Sequence, residues 1–221
     1  MTSASSSKLL ITLLAAGASR RFGSPKQLAT LGRKSLLQHK LGVLNEVCAR
    51  SNAELVIVLG ANEILIRDAL INDATTPPVS MLSNPDWSLG MASSIKCAVR
   101  YAQVHNYSRL LVCLADQIAL TVDDYLSMLA ASNHRRVAAY FEQRIGAPAL
   151  FLKQDYPELL TLQGDVGAKA LLKQLYQTGN LVACAKPQAS IDIDTQAQLI
   201  SWQNKQKHNN KVFHSPIEMK R

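Results

Sequence analysis

No apolar run in this 221-residue chain reaches the roughly 18 residues a membrane-spanning helix needs, so no membrane partner is expected. Met1 to Ser7 is small and polar and lacks the basic stretch and apolar segment of a secretory leader. The expected address is therefore the cytoplasm. Cysteines are only four, Cys48, Cys97, Cys113 and Cys184, and none form a CxxC pair. That excludes a disulfide framework or a zinc ribbon and leaves buried, reduced thiols as the expectation. The five histidines, His39, His105, His134, His208 and His214, have neither metal-ligand spacing nor a Ser or Cys nucleophile beside them. Two standard phosphate-binding patterns, GxxxxGK[ST] and GxGxxG, are also missing. There is no internal repeat and no linker rich in Gly, Pro or Ser, so residues 8–203 read as one domain.

What is present is globular. Apolar residues make up 48% and charged residues 18%, enough apolar content for a core without staples. The net charge is +8. Residues 203–221 hold five Lys or Arg against one acid and show no helical stripe. Residues 204–221 therefore read as a flexible, solvated basic tail. Nucleic-acid binding by that tail is not favoured. The positive excess on the body is compatible with a small polyanionic substrate.

Lys8–Leu14, Leu55–Leu59 and Arg109–Leu114 are short apolar runs of the kind found in strands covered on both faces. Helical spacing fills the intervals, over Lys34–Arg50, Glu63–Leu70, Met91–Gln103 and Thr121–Ala131. Thr121 is placed to cap the last of these, with Asp124 at the third helical position. Further on, Arg136–Phe141, Ala149–Leu152 and Leu181–Cys184 read as strands, and Asp165–Tyr176 and Asp194–Gln203 as helices. This alternation predicts an α/β fold with a mostly parallel sheet and ligands beyond the carboxyl ends of its strands.

The segments following strands are accordingly the informative ones. Ala15 to Arg33 is long and irregular, and such loops inside a compact domain are usually functional. Ala15, Ala16, Gly17, Ala18 and Ser19 are small enough for backbone amides to approach an anion, and Arg20, Arg21 and Lys26 add positive charge. Either this is a triphosphate cradle or a basic surface loop. Asp116, ending the third apolar run, is placed to hold Mg²⁺ or to cap the next helix. In Ile191–Thr195, acidic and apolar residues alternate, so a short strand there would aim Asp192 and Asp194 the same way. These are candidate metal ligands, with capping of the last helix as the other reading. In Asn84–Ser94, Gly90, Ser93 and Ser94 could approach a base or ribose, or simply form a turn and cap.

The stretch LLAAGASRRFGSPKQL resembles the signature loop of the MobA-like nucleotidyltransferases, LAAGxSxRFGxxKxL. NPDWSLGMASSI, LADQ, GAPALF, LQGDVGAKALL and DIDT follow in the family's order, so the resemblance spans Leu9 to Leu199. The pairing of GDxGA with DIDT looks most like the molybdenum cofactor cytidylyltransferase branch. The resemblance implies a Rossmann-like three-layer α/β fold with a mixed, mostly parallel sheet. It implies Mg²⁺-dependent transfer of CMP from CTP to a phosphorylated acceptor, molybdopterin, with release of pyrophosphate; a molybdoenzyme would then receive the product. By position, Ala15, Ala16, Gly17 and Ser19 would hold the nucleotide, Gly90 and Ser94 would line base and ribose, and Arg21 and Lys26 would meet phosphates. Asp116 and Asp194, with Asp192 close by, would hold the metal, and Arg21, Lys26 and Asp116 would be catalytic. The chain departs from the family pattern at Ile118, where relatives carry the proline of DQP, at Lys169, and at Ala147. Competing expectations are a GTP-using or sugar-phosphate nucleotidyltransferase of the same fold, and a non-catalytic molybdenum cofactor-binding maturation factor.

Overall fold

A computed structural model describes residues 8–212, with side chains described through residue 206. Nine strands alternate with seven α-helices. The strands are β1 (Leu9–Leu14), β2 (Thr30–Leu31), β3 (Lys34–Ser35), β4 (Glu54–Leu59), β5 (Ser80–Ser83), β6 (Arg109–Leu114), β7 (Arg136–Phe141), β8 (Arg144–Leu152) and β9 (Leu181–Ala185). The helices are α1 (Leu36–Ser51), α2 (Glu63–Ile71), α3 (Met91–Val104), α4 (Val122–Ser132), α5 (Tyr156–Leu159), α6 (Lys169–Gln177) and α7 (Gln196–Val212). Seven strands form one sheet in the order β5-β4-β1-β6-β8-β7-β9, while β2 and β3 make a separate small hairpin. Strands β5, β4, β1 and β6 run parallel, β8 is antiparallel to both its neighbours, and β9 is parallel to β7. The fold is thus the expected mixed, mostly parallel α/β sheet.

All six residues of β1 are buried, and they serve two cores. Leu9, Ile11 and Leu13 face α1, α2 and α4, where Leu37, Leu41, Leu44 and Ile66 are fully buried. Leu10 and Leu14 face α3, α5 and α6, against Ile95, Ala98, Val99, Tyr156 and Leu171. Two apolar faces on one sheet give three layers. Truncating a fully buried leucine such as Leu41 to alanine should cost about 2–5 kcal/mol. Ser35 starts α1 through a reciprocal capping box with Gln38, and Thr121 does the same for α4 with Asp124. Among the described residues, no helix is long and apolar enough to cross a membrane.

Several boundaries differ from the sequence expectations. Helix α6 begins at Lys169 rather than Asp165, because Gly164 and Gly167 adopt φ of +67° and +56°, which a helix cannot contain. Strand β8 begins at Arg144, five residues before the expected start; its pairing with β7 is interrupted next to Pro148, which has no amide to donate. Ile191–Asp194 is not a strand. Its Ile193 amide donates to the Asp116 carbonyl, but no ladder continues from that bond. Helix α7 starts at Gln196 and runs through the expected end at Gln203 to Val212; residues 213–221 lie outside the described residues. Cys48 and Cys113 are buried, whereas Cys97 and Cys184 are half-buried; all four are free thiols.

Candidate active site

From β1 the chain steps outward through β4 to β5, then crosses back to place β6 on β1's other side. This is a topological switch point, and the crevice beyond the carboxyl ends of β1 and β6 is where such sheets bind ligands. A cavity of about 420 Å³ opens there, with Leu14, Leu114 and Ala115 among its lining residues.

One wall is the loop after β1. Ala15 and Ala16 are buried, and Ser19 turns the chain with φ +55°. The Ser19 carbonyl accepts from the amides of Phe22 and Gly23. Gln27, buried at 3% exposure, holds the loop from beneath: its Nε2 donates to the carbonyls of Ala15 and Gly17, each at 3.0 Å, and its Oε1 accepts from Ser19 Oγ. With the carbonyls tied down, the amides of Gly17, Ala18, Ser19 and Arg20 donate to no other described group. Free, consecutive amides beside positive charge make an anion nest.

Facing the nest are two carboxylates. Lys26 Nζ donates to Asp116 Oδ2 at 3.0 Å and to Asp194 Oδ1 at 2.8 Å, so those oxygens lie within about 6 Å of each other. Arg21 Nη2 donates to Asp194 Oδ2 at 2.7 Å. Asp116 comes from the end of β6 and Asp194 from the turn before α7, 78 positions apart in sequence. A small apolar cluster of Phe22, Leu36, Ile118, Ile193 and Leu199 joins the loops that carry them. Ile118, where the family pattern has proline, is buried in this cluster, and its amide donates to the Asp116 carbonyl at 2.9 Å, a bond proline cannot make. Thr195 and Gln198 exchange reciprocal hydrogen bonds at the start of α7. The cap is thereby provided by Thr195, and the Asp194 carboxylate is left to the site.

The charges of the cluster reinforce one another. Burial pushes the Lys26 proton affinity down, but Asp116 and Asp194 outweigh it and the net shift is upward. Burial raises Asp194, yet the bonds and charges of Lys26 and Arg21 leave its carboxyl below the usual carboxylate range. Asp192 is largely open to solvent; partial burial and then the negative charges of Asp116 and Asp194 raise its carboxyl above that range. Asp192 thus feels the charge of both carboxylates, and among the described residues no group of three or more His, Cys, Asp or Glu is arranged to hold a metal.

Does the pair suit a divalent cation? Asp116 Oδ1 is buried with no hydrogen-bond partner among the described residues. A bare anionic oxygen next to a second carboxylate is the donor set Mg²⁺ uses when phosphates and water complete its shell.

The opposite wall is Trp87 to Ser94. Gly90 has φ +97°, and a Cβ there would come within 2.5 Å of the Gly164 carbonyl carbon and Asp165 Oδ1. The Gly164–Gly167 turn thus closes directly over this segment. Buried Asn84 donates to Ser93 Oγ at 2.8 Å and Ser94 Oγ at 3.0 Å, fixing the first turn of α3. Gly90 and Ser94 both line the cavity, as do Ala15, Ala16, Gly17, Ser19, Arg21, Lys26, Asp116 and Asp194. A second cavity, of about 760 Å³, adjoins the first and shares Arg21, Asp116 and Asp194 with it. Strands β7 and β8 and helix α6 form its walls, with Tyr140, Phe151, Leu172 and Tyr176 among the apolar lining and Arg144 and Lys173 among the cations.

Sequence reading overlooked Gln27, Asn84 and Trp87. Gln27 had a signal, a polar residue between Lys26 and an apolar stretch; for Asn84 and Trp87 only their place after a strand pointed to the site.

A three-layer sheet with an anion nest after its first strand and paired carboxylates opposite defines a nucleotidyltransferase. The chain belongs to the MobA-like NTP transferase domain family, whose pattern matches residues 11–179. It is 30% identical over 202 residues to the nicotine blue oxidoreductase of Paenarthrobacter nicotinovorans, covering 85% of this chain and 92% of that one. It is 27% identical over 192 residues to the purine catabolism protein PucB of Bacillus subtilis, with the same coverage. Among solved structures, a nucleotidyl transferase from Methanothermobacter (Mth528) superposes with a TM-score of 0.72 at 16% identity, covering 91% of this chain and 99% of that one.

Proposed function

We propose that the protein transfers CMP from CTP to a phosphorylated acceptor, the molybdenum cofactor in its molybdopterin form, and releases pyrophosphate. The single observation that carries the reading is the convergence of Asp116 and Asp194 on Lys26 at the mouth of the Gly17–Arg20 nest. The choice of CTP rests on the resemblance of the Ala15–Ala16 pair to the loop of cytidine-using members; the choice of acceptor rests on the resemblance carried by the motifs GDVGA and DIDT. The adjoining cavity, walled by tyrosines, apolar residues and cations, offers room for a planar phosphorylated molecule against the same carboxylates.

In the reaction an acceptor phosphate oxygen attacks the α-phosphorus of CTP in line. A new P–O bond forms as the bond to the β-phosphate oxygen breaks, and pyrophosphate leaves. The attacking oxygen is already ionised, so no side chain need form a covalent intermediate. The Gly17–Arg20 amides bind the triphosphate, and Arg21 and Lys26 turn from the carboxylates to the charge growing on the leaving group. Asp116 and Asp194 would hold Mg²⁺, which when bound supplies charge neutralisation and a template for the phosphates.

Incubation with molybdopterin, Mg²⁺ and CTP, GTP or UTP in turn, followed by mass analysis, tests this. A cytidylylated product from CTP alone supports it. A guanylylated product would reassign the nucleotide, and no pyrophosphate from any mixture would leave a non-catalytic cofactor-binding protein. The name of the 30% identical relative raises one further reading, oxidation or reduction of a dye-like compound. The absence of GxGxxG after β1 speaks against a dinucleotide there, and NADH or NADPH consumption checks it.

A further inference from the structure

Helix α1 carries Lys40 with 0% exposure. Its Nζ donates to the Gln117 carbonyl at 2.6 Å and lies 4.9 Å from the Tyr125 ring centre. No salt bridge reaches it among the described residues, since Asp116 and Asp124 pair with Lys26 and Lys186; burial lowers its pKa to about 8 against the weaker pull of Cys113, Asp116 and Asp124. A buried ammonium with one carbonyl partner and no salt bridge is costly to desolvate, so its place here calls for a reason beyond packing. The carbonyl it holds belongs to the residue next to Asp116. Gln117 is itself buried, at 4%, and its Nε2 donates to the carbonyls of Ala147, at 2.9 Å, and Ala189, at 2.8 Å. One residue is therefore fixed from three elements: α1, β8 and the segment leading to Asp194.

We propose that Lys40 is a positioning residue. Through the Gln117 carbonyl it sets the turn that aims Asp116 at Asp194, and so prepares the pair for a divalent cation. The proposal rests on the nucleotidyltransferase reading, because it supposes that a cation and a nucleotide bind together at these carboxylates. Partners that orient metal ligands typically matter about 10–100-fold in metal affinity.

The test is calorimetric binding of CTP to the full chain, with Mg²⁺ and with EDTA, alongside thermal melts. In the wild type, Mg²⁺ should tighten CTP binding. Lys40→Met should stay folded, bind CTP in EDTA as the wild type does, and lose about 10-fold of the Mg²⁺-dependent gain. Lys40→Gln, which keeps a donor without the charge, should restore part of that gain. A Lys40→Met protein that keeps the whole gain overturns the proposal, as does one that melts lower and loses CTP binding in EDTA equally. If Lys40→Met does not fold, Lys40→Leu, which also removes the donor to the Gln117 carbonyl, is read in its place, and a full Mg²⁺ gain there overturns the proposal as well. A wild type that binds no CTP under either condition refutes the cytidylyltransferase reading instead.

Discussion

The two cavities that meet at Asp116 and Asp194 are built in opposite ways. The one beyond β1 and β6 has loop backbone and small residues, Ala15 to Ser19, Ser88, Gly90 and Ser94, for much of its wall, with the charged side chains of Arg21 and Lys26 beside them. The one against α6 is walled by long side chains from β7, β8 and α6, including Tyr140, Arg144, Lys173 and Tyr176. A backbone surface can present amides to any nucleotide phosphate, and at Gly90 it leaves no room for an added atom. A side-chain surface can be recut residue by residue. On the proposed function, the first would serve a fixed chemistry and the second acceptor choice.

The largest effect should follow from breaking the shared edge. Asp116→Ala and Lys26→Ala should each lower pyrophosphate release by about 10²–10³-fold while the melting curve stays close to wild type. Unchanged turnover in either would separate the edge from the chemistry.

Next comes the backbone wall. Gly90→Ala puts a methyl group against Gly164 and forces alanine into a left-handed region. A loss of about 1–3 kcal/mol in stability, with weakened CTP binding, is expected from denaturant titration and calorimetry. On the side-chain wall the outcome should differ in kind. Lys173→Ala should raise the acceptor KM by about 2–5-fold and leave the CTP KM alone, as loss of one exposed cation contact does. Equal effects on both substrates would erase the contrast between the cavities.

A smaller change should accompany Ala16→Gly, a lower ratio of CTP to GTP turnover, read from competition between the two nucleotides. The smallest is a pH effect. The Asp194 carboxyl is held below its usual value, so its ion pairs stabilise the fold above about pH 4, and that contribution is lost as pH falls further through the folded-state value. Asp194→Asn should flatten the acid limb of the melting temperature against pH without altering the neutral plateau's shape.

The same contrast explains what was legible in the sequence. A backbone wall demands small residues at fixed spacing, so LLAAGASRRFG and the Gly90 segment stand out as patterns. The carboxylates were legible because each sits next to a strand or helix boundary. Most of the strand and helix core was readable for a similar reason: in β1 and α1 the apolar spacing matches the burial. The error at Ile191–Asp194 arose because alternation marks a strand only where a neighbour offers a ladder, and this segment obtains a single bond from Asp116. Lys40 was invisible because a lysine on an amphipathic helix normally faces water; only its tertiary environment, the Gln117 carbonyl and the Tyr125 ring, shows that it does not.

The central claim is most directly tested by anomalous diffraction from crystals grown with CTP and Mn²⁺. The account predicts one manganese peak bound by Asp116 and Asp194, with the triphosphate lying along the amides of Gly17 to Arg20. Manganese bound elsewhere, or a triphosphate seated away from that loop, would contradict it.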